Sequence, residues 1–176
     1  MAIDKIQSES INLADNFAFT GTVTGAGGVN TPAFHAYLSA DQNVNSNVVT
    51  KVQCNTEIYD TDNCYDNSTN FRFTPTTAGK YYVYANFAGQ QAAYVIYFSI
   101  PIIKKNGTEI ATASNTFGNG SVYATTNHIS VIADMNGSSD YLEFYGNIDI
   151  HVHGQEKFVG NSNSSITSFG AYRIIE

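Results

Sequence analysis

The sequence alternates between two kinds of side chain from residue 48 to residue 58. One side of this stretch carries Val48, Thr50, Val52, Cys54, Thr56 and Ile58, and the other carries Lys51, Gln53, Asn55 and Glu57. A period of two residues is typical of a β-strand with one buried face. Residues 60–70 are rich in Asp and Asn, whose side chains favour turns because they accept hydrogen bonds from nearby backbone amides. Alternation resumes from Tyr81 to Phe87, so this region is predicted to form a strand, a long polar loop and a second strand.

The rest of the chain also has the pattern of short strands separated by turns. An apolar run precedes the hairpin signal Asn106-Gly107. Strands are predicted at residues 94–103, 108–113, 121–135, 141–152 and 166–175. Pro101 has no amide hydrogen to donate, which predicts an edge position or a bulge. No window shows apolar residues at helical spacing, and the sequence therefore predicts an all-β sandwich of two sheets.

Length and composition agree with one β domain. Of the 176 residues only 13% are charged, whereas 12 are Tyr, a profile that suits β-strands. Residues 1–30 contain few apolar side chains, and a Gly-rich cluster occupies residues 25–28. We therefore expect residues 1–30 to form a stalk or linker segment, with a flexible leader as the alternative, and residues 31–176 to form the folded domain.

Charge and motif content exclude several classes of function. The net charge of -7 disfavours nucleic acid as a partner, because binding to phosphates requires clustered Lys and Arg. No apolar stretch approaches the length of a membrane span, so membrane insertion is not expected. The first ten residues lack the apolar core of a secretory signal, which predicts a protein made without export. No nucleophile elbow, metallohydrolase motif or phosphate-binding loop occurs, so no enzymatic activity is predicted.

Six residues are spaced in a recognisable pattern: Cys54, Asp60, Tyr65, Phe73, Gly79 and Tyr81. This spacing resembles the aromatic motif of the C1q/TNF superfamily, especially its microbial and bacteriophage members. The Pro32-Ala33-Phe34 segment and the Ser168-Phe169-Gly170 segment are also similar to the first and last strands of that family. The chain departs from the motif because Cys54 occupies a Phe position, one extra residue follows Tyr65, and Val83 and Ala85 replace aromatics. The resemblance covers residues 32–175.

The resemblance implies a ten-stranded jelly-roll sandwich that assembles as a homotrimer. In such a trimer one sheet buries aromatic and aliphatic side chains between subunits, a surface that a monomer would expose to water. The predicted contact residues are Phe34, Tyr82, Tyr84, Phe169 and Tyr172.

The strand that ends near residue 153 contains the candidate metal ligands. Its alternation places on one face Asn147, Asp149, His151 and His153. Imidazole and carboxylate groups at alternate strand positions can reach one divalent metal ion, and the predicted site consists of Asp149, His151 and His153. The alternative is a solvated outer face of the strand, which is polar in any case.

The first long loop suggests a second cation, and it also contains one of the two cysteines. Asp60, Asp62 and Asp66 could surround calcium, but the spacing does not fit an EF-hand, and a turn hydrogen bond from Asp60 is the competing prediction. Cys54 is predicted to be a buried core residue and Cys64 an exposed loop residue. Without an export signal, two free thiols are favoured over a disulfide.

These observations predict a non-enzymatic attachment head. The first hypothesis is a trimeric receptor-binding domain on a viral fibre or capsid, assembled in the host cytoplasm and joined to the virion through residues 1–30. Its partner would be a host surface glycan or protein, bound by exposed loops and Tyr side chains. The alternatives are a purely structural trimeric cap or capsid-decorating protein, and a soluble lectin of the same fold.

Overall fold

A computed structural model describes residues 29–90, 95–118, 121–150 and 156–174. All regular structure in these ranges is β, arranged as two antiparallel sheets packed as a sandwich. The predicted all-β sandwich is therefore confirmed for the part of the chain that the structure describes. Residues 1–28, which include nearly all of the predicted stalk or linker, lie outside the described ranges.

The first sheet is built around the long strand β7. Its members are β1 (Ala33–Tyr37), β2 (Gln42–Asn43), β4 (Thr56–Asp60), β7 (Gly79–Gln90), β11 (Ala124–Met135), β13 (Lys157–Phe158) and β14 (Ser168–Arg173). One edge of β7 pairs with β11 along its whole length, and the other edge pairs with β14 and β13. Beyond β14 the order continues with β1 and β4, whereas β2 lies beyond β13.

The second sheet is built around β8 and β12. Its members are β3 (Thr50–Lys51), β5 (Tyr65–Asp66), β6 (Arg72–Phe73), β8 (Ile96–Lys105), β9 (Thr108–Thr112), β10 (Asn115–Thr116) and β12 (Leu142–Ile150). The principal order is β10-β8-β12-β6-β5, with β9 also paired to β8 and β3 to β12. The described residues thus contain fourteen strand segments rather than ten, and the six shortest are two residues long.

Pro101 was predicted to lie at an edge position or in a bulge. It lies instead within β8, opposite Gly146 of β12. Its carbonyl oxygen accepts a hydrogen bond from the Ala113 amide at 3.3 Å, so its missing amide hydrogen would point to the same side. On that side β9 pairs with Ile102–Lys105 and β10 pairs with Phe98–Ser99. Pro101 therefore occupies the gap between two partner strands, where the missing hydrogen breaks no regular ladder bond.

The spaced motif residues form the aromatic core between the sheets. The Phe34 ring stacks on Tyr65 and on Phe73, each at 4.5 Å between centroids. Tyr65 donates its hydroxyl hydrogen to the carbonyl oxygen of Cys54 at 3.0 Å, while Asp60 accepts from the Tyr65 amide at 2.8 Å. The motif residues therefore contribute to packing of the core. The Tyr65 hydroxyl and the Asp60 carboxylate form hydrogen bonds with backbone groups at the rim of the core.

Candidate functional site

The outward side of the first sheet carries a cluster of aromatic residues that we call the tyrosine face. It consists of His35, Tyr37, Tyr59, Tyr82, Tyr84, Ile132 and Tyr172. Strand register brings them together, since Tyr82 lies opposite both Tyr172 and Ile132 in the ladders. The Tyr82 ring is 5.4 Å from that of Tyr172 and 6.0 Å from that of Tyr84. Ile132 and Tyr59 remain 58% and 42% exposed, so the face is apolar and uncovered in the single chain.

A glycine lets Tyr84 lie across the neighbouring strand. Gly170 is the ladder partner of Tyr84 on one side and of His35 on the other. A Cβ atom at Gly170 would lie 2.4 Å from the Tyr84 ring, closer than any real contact permits. The absence of that atom allows the Tyr84 hydroxyl to cross β14 and reach His35.

His35 is the one imidazole placed within the tyrosine face. Its Nδ1 lies 3.1 Å from the Tyr84 hydroxyl oxygen, and its ring meets Tyr59 edge-on at 6.2 Å between centroids. Its Nε2 is buried but has no hydrogen-bond partner among the described residues. Burial lowers the pKa of the imidazole below its ordinary value, because the low-dielectric surroundings disfavour the charged form.

Polar groups lie at the two ends of the tyrosine face. At one end Lys80 and Asp134 form an exposed ion pair at 3.7 Å. At the other end the Asn86 amide oxygen accepts from His128 Nδ1 at 2.9 Å, and the Asn86 amide nitrogen donates to the Ser168 hydroxyl at 3.1 Å. An apolar centre between polar ends is the usual composition of a protein contact surface.

Three of the five predicted trimer-contact residues lie on this face: Tyr82, Tyr84 and Tyr172. The other two assignments are wrong, because Phe34 and Phe169 are 0% exposed and pack against each other at 5.1 Å inside the core. Both belong to strands of the correct sheet, but their side chains point inward. Sequence reasoning missed four members of the face, because their membership depends on strand pairing between distant segments: His35, Tyr37, Tyr59 and Ile132.

The predicted metal site lies only partly within the described residues. Asp149 points outward from β12, and its Oδ1 accepts a hydrogen bond from the Ser46 hydroxyl at 2.8 Å. Asn147 lies on the same side and donates to Asn47 Oδ1 at 3.5 Å. His151 and His153 lie outside the described ranges. Within those ranges no group of three His, Cys, Asp or Glu side chains could hold a metal ion, and the site at Asp149 stays a prediction.

The acidic side chains of the first long loop bind their own backbone. Asp60 accepts hydrogen bonds from the amides of Tyr65 and Asp62, which confirms its predicted role in a turn. Asp66 accepts from the amides of Ser68, Thr69 and Asn70. These bonds hold the pKa of Asp66 well below its ordinary value. The carboxylates of Asp60 and Asp66 are therefore engaged in shaping the loop.

Both cysteines are unpaired and buried. Cys54 is 0% exposed, and burial raises the pKa of its thiol far above the ordinary value. The prediction that Cys64 is exposed is wrong, because only 7% of it is accessible. Its Sγ lies 3.6 Å from the Asp62 carbonyl oxygen and 3.9 Å from Thr76 Oγ1, so the loop folds over the thiol.

No protein-family model and no curated protein matches this sequence. Solved structures do match the fold. Murine APRIL at pH 5.0 superposes with a TM-score of 0.58 at 10% identity, covering 81% of this chain and 98% of that one. The globular domain of zebrafish complement 1qA gives 0.52 at 13% identity, covering 83% and 99%. The Eiger TNF of S. frugiperda gives 0.53 at 8% identity, covering 82% and 92%.

These similarities agree with the two-sheet topology. Among the residues that the structure describes, no helix has the length and apolar character needed to cross a membrane. At such low identity the comparisons establish the fold and nothing finer. The chain has the antiparallel jelly-roll fold of the C1q/TNF type.

Proposed function

We propose that this protein is a non-enzymatic, homotrimeric attachment head on the surface of a virion, which binds a glycan or protein of the host cell. The observation that carries the proposal is the tyrosine face, an apolar surface on one sheet of a domain whose solved neighbours include TNF and complement 1q domains. Three copies joined through this face would leave the second sheet and the loops exposed for binding.

Contact between the apolar tyrosine face and water is unfavourable in free energy, and burial of the face between copies would remove that contact. The face combines Tyr rings with Ile132, and aromatic side chains provide large contact areas with little loss of conformational entropy. None of the seven residues that make up the face is Lys, Arg, Asp or Glu, and the ion pair of Lys80 and Asp134 lies at its margin. Its centre can therefore be buried against another copy without stranding an unpaired charge.

The rigid sandwich supports recognition by its loops. Asp66 and Asn136 each collect several hydrogen bonds from the backbone of their own loop, so these loops have defined shapes. Loops held in this way can present polar groups to a ligand without disturbing the core. Attachment to the virion through residues 1–30, and assembly in the host cytoplasm, complete the proposal.

The direct test is binding of the purified protein to host cells. Fluorescently labelled protein should saturate the cell surface, and an excess of unlabelled protein should compete for the sites. A variant that has lost the trimer should bind at least tenfold more weakly, because three linked sites bind with avidity. Saturable attachment would exclude the purely structural cap, whereas absence of binding to every permissive cell would refute the attachment function.

A further inference from the structure

Two segments at one end of the sandwich carry a dense set of exposed amide and hydroxyl side chains, which we call the amide surface. Residues 41–47 read Asp-Gln-Asn-Val-Asn-Ser-Asn, and residues 160–165 read Gly-Asn-Ser-Asn-Ser-Ser. The exposed members that define the surface are Asn43, Asn45, Asn47, Asn161, Ser162 and Asn163. Amide and hydroxyl groups both donate and accept hydrogen bonds, so the surface matches a ligand that does the same.

The two segments lie side by side although they are far apart in sequence. Strand β2 of the first segment pairs with β13, which leads into the second. On either side of this pairing the Val44 amide donates to the Glu156 carbonyl oxygen at 2.9 Å, and the Asn161 amide donates to the Leu38 carbonyl oxygen at 3.0 Å. Extended backbone from residue 38 to residue 44 spans about 20 Å. A ligand that contacts both ends of the surface is therefore extended.

Contacts of Asp41 hold the two segments together. Its Oδ2 lies 2.6 Å from Lys157 Nζ, and its Oδ1 accepts a hydrogen bond from the Gly160 amide at 3.0 Å. A Cβ atom at Gly160 would lie 2.0 Å from the Ala40 carbonyl oxygen, so only glycine allows this close approach. The surface is therefore formed before a ligand arrives, and less entropy is lost on binding.

The amides of the first segment are exposed because the residues between them point inward. Val44 packs against the core, and the Ser46 hydroxyl donates to Asp149 Oδ1 at 2.8 Å. The two-residue period leaves Asn43 and Asn45 on the outer side. No hydrogen bond joins the side chain of either Asn to another residue in the described ranges. Both amides are therefore available to a ligand.

The exposed charges of the amide surface cancel. Residues 38–49 and 156–165 contain three ionisable side chains, Asp41, Glu156 and Lys157. Asp41 and Lys157 form an ion pair, and Glu156 is only 1% exposed. The surface therefore favours an uncharged ligand over an acidic or basic one.

The amide surface lies at the opposite end of β7 from the point where the chain enters the domain. The Arg173 amide donates to the Pro32 carbonyl oxygen at 3.3 Å, and Arg173 is the ladder partner of Tyr81. Lys157 of β13 is the ladder partner of Gln90 on the same strand. The backbone from residue 81 to residue 90 spans about 30 Å. If residues 1–30 lead to the virion, the amide surface faces away from it.

We propose that the amide surface binds an uncharged oligosaccharide of the host cell, whose hydroxyl groups form hydrogen bonds with Asn43, Asn45 and Asn163. This inference rests on the proposed attachment function and specifies the chemistry of its ligand. None of the six residues that define the surface is aromatic or Arg, the side chains that dominate contacts between proteins, so a glycan is favoured over a protein. Gln90 lies beyond Asn86, the polar end of the tyrosine face, and assembly through the apolar centre of that face leaves the amide surface accessible.

The first test measures binding of the full chain to immobilised glycans. The neutral probes are mannan, galactan, dextran and chitin oligosaccharides, and the charged probes are polygalacturonate and dextran sulfate. We expect saturable binding to at least one neutral probe, with a change of less than about twofold on addition of salt, because no net charge is contacted. Failure of every neutral probe, or tighter binding to the charged probes, would overturn the inference.

The double variant Asn45→Ala/Asn163→Ala should bind the neutral probe at least about tenfold more weakly, since two hydrogen bonds are lost. Neither side chain bonds to another described residue, so the variant should keep the circular dichroism spectrum of the unmodified protein. The control Asn30→Ala/Asn67→Ala removes two amides outside the amide surface and should retain binding. Equal loss of binding in the two variants would overturn the inference.

The second test uses host cells treated with periodate, which cleaves the vicinal diols of sugars. Labelled protein should no longer attach to the treated cells, whereas it should attach to mock-treated cells. Attachment that survives periodate would show a ligand other than a glycan and overturn this inference, but it would leave the proposed attachment function standing.

Discussion

Replacing Tyr82 by Ala should dissociate the proposed trimer without unfolding the domain. The Tyr82 side chain is at the centre of the tyrosine face, with the Tyr84 and Tyr172 rings 6.0 Å and 5.4 Å away. It points away from the core, so its removal leaves the packing between the sheets intact. Truncation of a central aromatic residue in an interface costs about 2 kcal/mol per copy. Three copies then cost about 6 kcal/mol, or about four orders of magnitude in the trimer association constant.

The assay is sedimentation equilibrium over a range of protein concentrations, with circular dichroism to verify the fold. The matched control is Tyr123→Ala, which removes another exposed Tyr, 46% accessible, from a position outside the tyrosine face. The control should assemble like the unmodified protein, whereas Tyr82→Ala should be monomeric at concentrations where the control is trimeric. Equal assembly of the two variants would refute the assignment of the tyrosine face as the interface.

The remaining predictions concern pH, the core and the metal. Burial lowers the pKa of His35, so the folded domain should be most stable above the unperturbed pKa of about 6.5 and lose stability as pH falls below it; His35→Phe should reduce this dependence in urea unfolding at a series of pH values. Tyr65→Phe leaves the Cys54 carbonyl oxygen without its donor and should lower the free energy of unfolding by about 1–3 kcal/mol, measured in urea. Neither Cys54 nor Cys64 should react with a polar thiol reagent until the protein unfolds, and fast labelling of Cys64 in the native state would contradict its burial. A chelator should lower the melting temperature if a metal binds at Asp149, His151 and His153, and an unchanged melting curve with no metal in elemental analysis would remove that site.

Local patterns predicted most of the long strands and part of the core, but the single strand expected over residues 48–58 is wrong, because it is divided into β3 and β4 and Val48 and Ile58 are exposed. The two-residue period around Cys54 and the spacing of Tyr65 and Phe73 depend on neighbours along the chain, and all three side chains are buried. The Asn106-Gly107 hairpin was likewise predictable, because its two residues take positive φ values of 51° and 79°.

The surfaces could not be predicted in the same way, because they depend on pairing between distant segments. His35 meets Tyr84 across 49 residues of sequence. Phe34 and His35 are adjacent in sequence, and the local pattern does not show which of the two side chains points inward. Cys64 was predicted to be exposed because its neighbours are polar, whereas the loop folds back over it.

The central claim is that three copies join through the tyrosine face. Multi-angle light scattering of the unmodified protein, at neutral pH and micromolar concentration, tests it most directly. The account predicts a single species with three times the chain mass of 19.1 kDa. A single species of 19.1 kDa under the same conditions would contradict it.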